Sequence, residues 1–425
     1  MDTGYQHKIA VIGLGYVGLP LAIEFSKKYE VVGFDIDEKR VAELQNGNDY
    51  TQETDPETLL QALTLGLSIS SDASSLAGCN TYIITVPTPI NQSNQPDLQY
   101  LFAASEIVGK VIRKGDIVIY ESTTYPGCTE EDCIPVVEQV SKLKYNIDFY
   151  AGYSPERINP GDKVNTLSKI KKVTSGSTPE IAEVVDTLYA SIITAGTHKA
   201  PSIKVAEASK IIENAQRDVN ISFINELALI FDKMNIDTND VLDAAATKWN
   251  FIKYRPGLVG GHCISVDPYY LATKAEALGY TPQVILSGRQ VNNSIAPFIA
   301  NKVAKLLTQR NRTLKGANIL ILGFSFKENC PDTRNTKVID IYNEFREFGM
   351  CIDICDPWVC PQKVADEYGV SILSKIDRVK QYDAIVLTVA HNEFKEFDFA
   401  KYHNSGTVIF DTKGIIDRNF VDGRL

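Results

Sequence analysis

The sequence predicts an α/β protein of two doubly wound domains joined by a long central helix, and three observations predict it. Short apolar runs alternate with amphipathic stretches over the first third of the chain, the pattern of strands and crossover helices in a parallel sheet. From Pro201 to about Met234 there is no glycine and no further proline, and apolar residues recur at helical spacing. Beyond Gly316 the strand-like alternation returns over a shorter stretch.

Lys8–Ile12, Val31–Phe34, Thr81–Val86 and Ile117–Glu121 are near-continuous apolar runs, as expected of strands covered on both faces. Motifs at their carboxyl ends matter most, because ligands of doubly wound sheets bind there. In the central segment Val205, Ala208, Ile211, Ile212, Ala215, Val219, Phe223 and Leu227 define the apolar stripe of the long helix. The second alternating pattern comprises Asn318–Leu322, Cys351–Cys355, Ala384–Val389 and Thr407–Phe410. Arg310 to Gly316 is polar and basic and reads as the linker into it. The expected division is therefore 1–200, a central helical segment 201–309 and 310–425. No fixed-period repeat or low-complexity tract is apparent.

With 425 residues and 44% hydrophobic residues, the chain can fill about two or three ordinary cores. A formal net charge of −10 argues against a nucleic-acid-binding surface, which needs clustered Lys and Arg. Ile9 to Ala22 is interrupted by three glycines and followed by no small-residue cleavage site, so it does not read as a secretory signal. No run reaches the roughly 20 apolar residues of a membrane span. The eight cysteines are then expected as reduced thiols of a cytoplasmic protein.

Gly13-Leu14-Gly15-Tyr16-Val17-Gly18 directly follows the first strand and opens a helix. The glycines permit a tight turn and close approach of backbone to a pyrophosphate. Asp35 ends the next strand, where a carboxylate accepts ribose hydroxyls and repels a 2′-phosphate. NAD is therefore expected over NADP; FAD competes for such a turn, but nothing else in the chain suggests a flavin.

Cys263 lies within Pro256–Pro268, PGLVGGHCISVDP, whose glycines give backbone flexible enough for close ligand approach. A buried cysteine is usually a small hydrophobe, but a thiolate near cationic groups or a helix terminus becomes a nucleophile. Glu207, Lys210, Asn214 and Arg217 fall at i, i+3, i+7 and i+10 of the long helix, a polar stripe read as an active-site wall rather than a solvated face. A zinc site from His262, Cys263 and Asp267 lacks the usual ligand spacing, and no metal is expected. Cys351, Cys355 and Cys360 resemble a loose metal cluster, but the first two fall in an expected buried strand and read as packing.

Taken in order, GLGYVGLP (Gly13–Pro20), Glu121-Ser122-Thr123, Ser154-Pro155-Glu156-Arg157, Lys210 with Asn214, GGHCISVD (Gly260–Asp267) and FSFKENCPDTR (Phe324–Arg334) resemble the UDP-glucose/UDP-N-acetylhexosamine 6-dehydrogenase family over nearly the whole chain. The resemblance implies two Rossmann-like domains, an N-terminal one holding NAD and a C-terminal one contributing to a UDP-sugar site, with a homodimer formed through the central helix. It implies a four-electron oxidation in which Cys263 traps an aldehyde as a thiohemiacetal and later carries a thioester. Lys210 and Asn214 would stabilise the oxyanion, Asp267 would pair with Lys210 or position water, Thr123 would hold the hydrolytic water, and Glu156 would act as general base. The implied cofactor site comprises Gly13, Gly15, Tyr16, Val17, Gly18, Asp35, Arg40, Thr85, Pro87, Thr88, Ser122 and Thr123, with Lys327 and Arg334 at the cofactor, the UDP or the sugar. Around the sugar nucleotide it implies Glu156, Arg157, Lys210, Asn214, Arg217, Tyr254, Arg255, Gly257, Gly260, Arg289, Phe326 and Lys327.

Two departures narrow the expected substrate. His262 replaces the serine, and Val266 the lysine, of the Gly-Gly-Ser-Cys-Phe-Gln-Lys-Asp common in the UDP-glucose branch, and Pro160 stands where that branch often has an acid. Both are similar to enzymes of bacterial surface-polysaccharide pathways, such as capsule and O-antigen, that act on UDP-GlcNAc or UDP-GalNAc. UDP-ManNAc and UDP-glucose are the alternatives. Outside this class stand a two-electron hydroxy-acid dehydrogenase, which needs neither reactive thiol nor second domain, and a non-catalytic nucleotide-binding protein, which would not need Cys263 and Lys210.

Overall fold

Ile9, Val11, Ile83, Ile117 and Ile119 point to one helical layer of the first sheet, and Ala10, Ile12, Tyr82, Ile84, Val118 and Tyr120 to the other. That two-sided burial is the reason the strands are unbroken apolar runs. The computed structural model describes residues 6–91, 93–157, 166–373, 375–376 and 380–425; Pro160 lies outside the described residues. The first sheet comprises β1 (Lys8–Ile12), β2 (Glu30–Phe34), β3 (Leu67–Ser70), β4 (Thr81–Ile84), β5 (Ile117–Tyr120), β6 (Tyr150–Tyr153), β7 (Lys172–Gly176) and β8 (Thr197–Lys199). Their order is β3-β2-β1-β4-β5-β6-β7-β8, parallel except between β6 and β7. The order reverses between β1 and β4, so the turns after those strands open the ligand crevice.

The second sheet comprises β9 (Asn318–Leu322), β10 (Cys351–Cys355), β11 (Ile372–Leu373), β12 (Ala384–Leu387), β13 (Val408–Asp411) and β14 (Gly423–Arg424). It is all parallel in the order β11-β10-β9-β12-β13-β14, with its reversal between β9 and β12. Ile319, Ile321 and Val386 pack on one side with Ile341, Phe345 and the helix Gln283–Gln309; Leu320, Leu322 and Ile385 pack on the other with Phe394, Phe399 and Tyr402. The fold class is thus as expected, with two Rossmann-like sheets and a long helix, Ile203–Met234.

The chain forms two compact units, residues 1–213 with 269–280, and residues 214–268 with 281–425; the expected middle segment is shared between them. Expected strand boundaries hold to within two residues, and Lys8–Ile12, Asn318–Leu322 and Cys351–Cys355 agree at both ends. Two readings need correction. Cys351 is exposed and only Cys355 packs, because β11 is so short that it covers β10 only at Ile354 and Cys355. On the long helix Val205, Ile212 and Phe223 are exposed, whereas Ile211 and Ala215 are buried beside Glu207, Lys210, Asn214, Asp218 and Asn225. The buried face is thus half polar, with Ile203, Ala206, Ile224 and Ala228 also on it, and Arg217, expected on its polar stripe, is exposed. Its place on that face is taken by Asp218, one turn beyond Asn214.

Candidate active site

Gly13 adopts a left-handed φ of 93°, and its N–H donates to the Phe34 carbonyl at 2.8 Å, turning the chain sharply out of β1. A Cβ on Gly18 would stand 1.8 Å from the Gly13 carbonyl oxygen, so only glycine lets the helix Gly18–Ser26 start this close to the turn. A Cβ on Gly15 would meet nothing within 4 Å, which leaves open space in front of the turn. The helix has no side-chain cap and no acid in its first turn, so its backbone N–H groups suit an anion. Thr85 braces the turn from β4, its hydroxyl donating to the Gly13 carbonyl at 2.7 Å.

Asp35 at the end of β2 accepts the Leu14 N–H at 2.8 Å on one carboxylate oxygen and the Asp37 N–H at 3.0 Å on the other. A carboxylate has about four lone-pair sites, so capacity for a ribose diol remains. Arg40 is buried; its Nε and Nη2 donate to the Leu14 carbonyl and Nη2 also to Asp49, while Nη1 is buried without a partner among the described residues. Arg40 therefore steadies the glycine turn from beneath. Ser122 donates to the Val86 carbonyl, Tyr16, Val17, Thr88 and Thr123 are half-buried, and Pro87 is exposed.

The second unit repeats this skeleton without any sequence repeat to betray it. Gly323 has a φ of 99° and donates to the Cys355 carbonyl at 2.9 Å, as Gly13 does to Phe34. Thr388 donates to the Gly323 carbonyl at 2.7 Å, as Thr85 does to Gly13. Asp356 ends β10 and accepts the Phe324 N–H at 2.6 Å, in the manner of Asp35 and Leu14. Asp356 accepts the Trp358 N–H as Asp35 accepts that of Asp37, and differs in also accepting the Ser325 and Val359 N–H groups and facing His391 Nε2 at 3.0 Å. Those donors occupy the lone pairs a ribose would need, so the first crevice and not the second fits a dinucleotide.

Glu156 is buried at the carboxyl end of the first sheet. Its carboxylate meets Lys172 Nζ at 2.5 Å and the Arg157 N–H at 2.5 Å, and Lys172 also meets Glu121 at 2.7 Å. Tyr189 donates to Glu121. Burial pushes Glu121 up; it also opposes the Lys172 charge, but the two carboxylates outweigh it and raise the Lys172 pKa. Arg157 pairs with Glu213 at 2.5 Å. Glu207 accepts Gly127 and Thr129 N–H groups and the Thr124 hydroxyl, tying the loop after β5 to the long helix; Lys172 and Thr124 had no periodic or motif signal of their own as functional residues, and Glu121 stood in a quoted motif without a role.

Cys263 is half-buried in the turn leading into the helix Asp267–Ala277. Its carbonyl accepts the Val266 and Asp267 N–H groups at 3.1 and 2.8 Å, which closes that turn. The Asn214 amide donates to Asp267 Oδ2 at 2.5 Å, and both residues are buried. Before the cysteine, a Cβ on Gly260 would come within 2.6 Å of the Asn335 carbonyl, and one on Gly261, with φ 84°, within 2.9 Å of the Phe326 ring. Both glycines are therefore required by close packing. His262 Nδ1 stands 3.6 Å from Asp332, the carboxylate that Arg334 grips through Nε and Nη2.

Gly257 is held through both backbone polar groups by the Asn225 side chain, at 2.8 and 3.0 Å. Arg289, expected at the substrate, is buried and directed to Asp218 at 2.6 Å and Asn293 at 2.8 Å. Arg255 is exposed and pairs with Asp243. Tyr254, Phe326 and Lys327 are half-buried. Among the described residues no group of three or more His, Cys, Asp or Glu side chains is arranged to hold a metal, and no helix is long and apolar enough to cross a membrane.

A glycine turn with free space before it and a carboxylate with spare lone pairs beside it define a dinucleotide-binding α/β protein with a second Rossmann-like unit. The family descriptions that match are the NAD binding domain of the UDP-glucose/GDP-mannose dehydrogenase family over residues 7–193, its central domain over 204–294 and its UDP binding domain over 320–418. A UDP-N-acetyl-D-glucosamine 6-dehydrogenase of Pseudomonas aeruginosa is 56% identical, covering 98% of this chain and 99% of that protein. One of Salmonella typhi is 52% identical, covering 98% of each, and Protein CapL of Staphylococcus aureus is 50% identical, covering 97% of each. The solved UDP-D-ManNAc dehydrogenase of Pyrococcus horikoshii superimposes with a TM-score of 0.88 at 31% identity, covering 98% of each chain. The chain belongs to the UDP-glucose/GDP-mannose dehydrogenase family, as an NAD-dependent UDP-sugar dehydrogenase.

Proposed function

We propose that this chain oxidises a UDP-N-acetylhexosamine, UDP-GlcNAc or UDP-GalNAc, at C6 to the uronic acid. The observation that carries the reading is Cys263 at the end of a close-packed double-glycine segment held by Asn214 and Asn225. Identity of 56% and 52% to two proteins named UDP-N-acetyl-D-glucosamine 6-dehydrogenase supports the N-acetylated substrate and, of the two sugars, UDP-GlcNAc.

Bound NAD supplies the hydride acceptor, one molecule for each of two oxidations. The first converts the C6 alcohol to an aldehyde, with loss of a hydride and a proton. The Cys263 sulfur adds to the aldehyde carbon, giving a thiohemiacetal that keeps the aldehyde from escaping. Loss of the second hydride, together with the hydroxyl proton, leaves a thioester, and water cleaves it to the carboxylate and the free thiol. In this scheme Lys210 and Asn214 stabilise the oxyanions, with Asp267 orienting the Asn214 amide. Glu156, anchored by Lys172, takes the proton from the hydrolytic water that Thr123 holds. Lys327 and Arg334 contact the UDP or the sugar.

The active species in this reading is a homodimer through the long helix, supported by its exposed apolar stripe of Val205, Ile212, Phe223, Ile230 and Met234. The acid product is a cytoplasmic building block for surface polysaccharide, capsule or O-antigen. The substrate is tested by NADH release from UDP-GlcNAc, UDP-GalNAc, UDP-ManNAc and UDP-glucose. An N-acetylglucosamine or N-acetylgalactosamine nucleotide turning over fastest supports the proposal, and UDP-glucose or UDP-ManNAc turning over fastest overturns it.

A further inference from the structure

Asn225 has no place in the chemistry above, yet it sits at the centre of a buried polar chain. Its Oδ1 accepts the Gly257 N–H at 2.8 Å, and its Nδ2 donates to the Gly257 carbonyl at 3.0 Å and to Asn292 Oδ1 at 2.8 Å. The Gly257 N–H can only donate, so the orientation of the Asn225 amide is fixed. Asn292 donates in turn to Asp218 Oδ1 at 2.7 Å, and Arg289 Nη1 reaches the same oxygen at 2.6 Å. A Cβ on Gly257 would meet nothing within 4 Å, so no close approach on that side demands glycine, and these hydrogen bonds locate the buried backbone there.

Asn225 lies eleven residues beyond Asn214 on the long helix. At about 100° and 1.5 Å per residue, that is three turns plus about 20°, on one face and about 16 Å along the axis. Asn214 holds Asp267 and Asn225 holds Gly257, one residue on each side of Cys263. The two asparagines therefore pin both ends of the segment that carries the thiol to a single rigid element. A side-chain amide that satisfies both backbone groups of a buried residue stands in for a strand partner, and its removal strands an N–H and a carbonyl.

We infer that Asn225 is a positioning residue for Cys263, with Asn292, Asp218 and Arg289 as the chain that orients its amide. The inference rests on the reading of Cys263 as the nucleophile, and the experiment separates the two. Cys263, Cys351 and Cys360 are alkylated with iodoacetamide in the full-length protein and the rates followed peptide by peptide. The exposed Cys351 and Cys360 act as internal references. Asn225→Ala is expected to change the Cys263 rate by at least about threefold, leave both references unchanged, lower kcat by about tenfold or more and leave NAD affinity within about twofold. Arg289→Lys, one link further back, should move the same readouts less and in the same direction, and it serves if Asn225→Ala does not fold. An unchanged Cys263 rate in a folded variant overturns the inference whatever happens to kcat. If Cys263→Ser still makes the acid while Asn225→Ala shifts the alkylation rate, the nucleophile reading fails and the positioning one stands.

Discussion

Gly18 and the Gly13 carbonyl oxygen are so close that a Cβ on Gly18 would fall 1.8 Å away. The first helix therefore starts against the turn that precedes it, and its N–H groups face the space left open at Gly15. Gly18→Ala must push the turn and the helix apart. Its NAD affinity, read by displacement of fluorescent NADH, should fall by about tenfold or more, and unfolding should shift as well, because the atom in the way is backbone and cannot swing aside. Unchanged affinity would show that the cofactor does not use this turn.

Lys172 is the only positive charge in contact with two buried carboxylates among the described residues of its cluster, and it is 3% exposed. Removing one partner of a buried ion pair leaves uncompensated charge. Lys172→Met should cost about 3–5 kcal/mol in denaturant unfolding at neutral pH, and the Lys172→Met/Glu121→Gln double variant should recover part of that loss. A single variant as stable as the parent would contradict the assignment of charge to this cluster.

Asp356 is opposed by burial, but its bonds to His391, Phe324 and Ser325 outweigh that and hold its carboxyl below the ordinary value. Asn329 donates to His391 Nδ1 at 2.9 Å, which leaves the proton on Nε2 to reach Asp356. A depressed folded-state pKa contributes stability above the unfolded value and loses it as the pH falls through the folded one, so the contribution is present at neutrality and fades below roughly pH 4. Asp356→Asn should thus destabilise the protein by about 1–3 kcal/mol at pH 7 and by progressively less toward pH 3. A penalty independent of pH would contradict the ionised state.

Much of this architecture was legible because two-sided burial writes itself into unbroken apolar runs such as Ile9–Ile12 and Ile319–Leu322. Tyr150–Tyr153 contains a glycine, Leu67–Ser70 is half polar, and Ile372–Leu373 and Gly423–Arg424 are too short to show a period. The last three are edge strands, which borrow their stability from one neighbour and leave little pattern. The glycine turn announced itself through local spacing and Cys263 was singled out by its glycine-rich surroundings and the family motif, whereas Asn225, Lys172 and Asp218 have partners 16 to 74 residues away on other elements, beyond the reach of periodicity. The long helix misled in one respect: its polar stripe, read as an inner wall, is buried at Glu207, Lys210 and Asn214, but Val205, Ile212 and Phe223 of the expected apolar stripe are exposed, so the usual equation of apolar with interior fails there.

That inversion carries a prediction. Ile212 is 54% and Phe223 57% exposed on one stripe of the helix, and burial of such side chains against a second copy would be worth about 1.5–3 kcal/mol each. Phe223→Glu should shift the mass in light scattering from dimer toward monomer at micromolar concentration. A wild-type protein that is monomeric at every concentration would contradict the proposed homodimer.

The most direct test of the covalent four-electron scheme is the count of NADH formed per UDP-N-acetylhexosamine consumed, with intact-protein mass spectrometry of Cys263 during turnover. Two NADH per acid, a sugar-nucleotide adduct on the wild-type protein, and neither acid nor adduct from Cys263→Ser are the predicted results. One NADH with free aldehyde accumulating, or undiminished acid from Cys263→Ser, would contradict it.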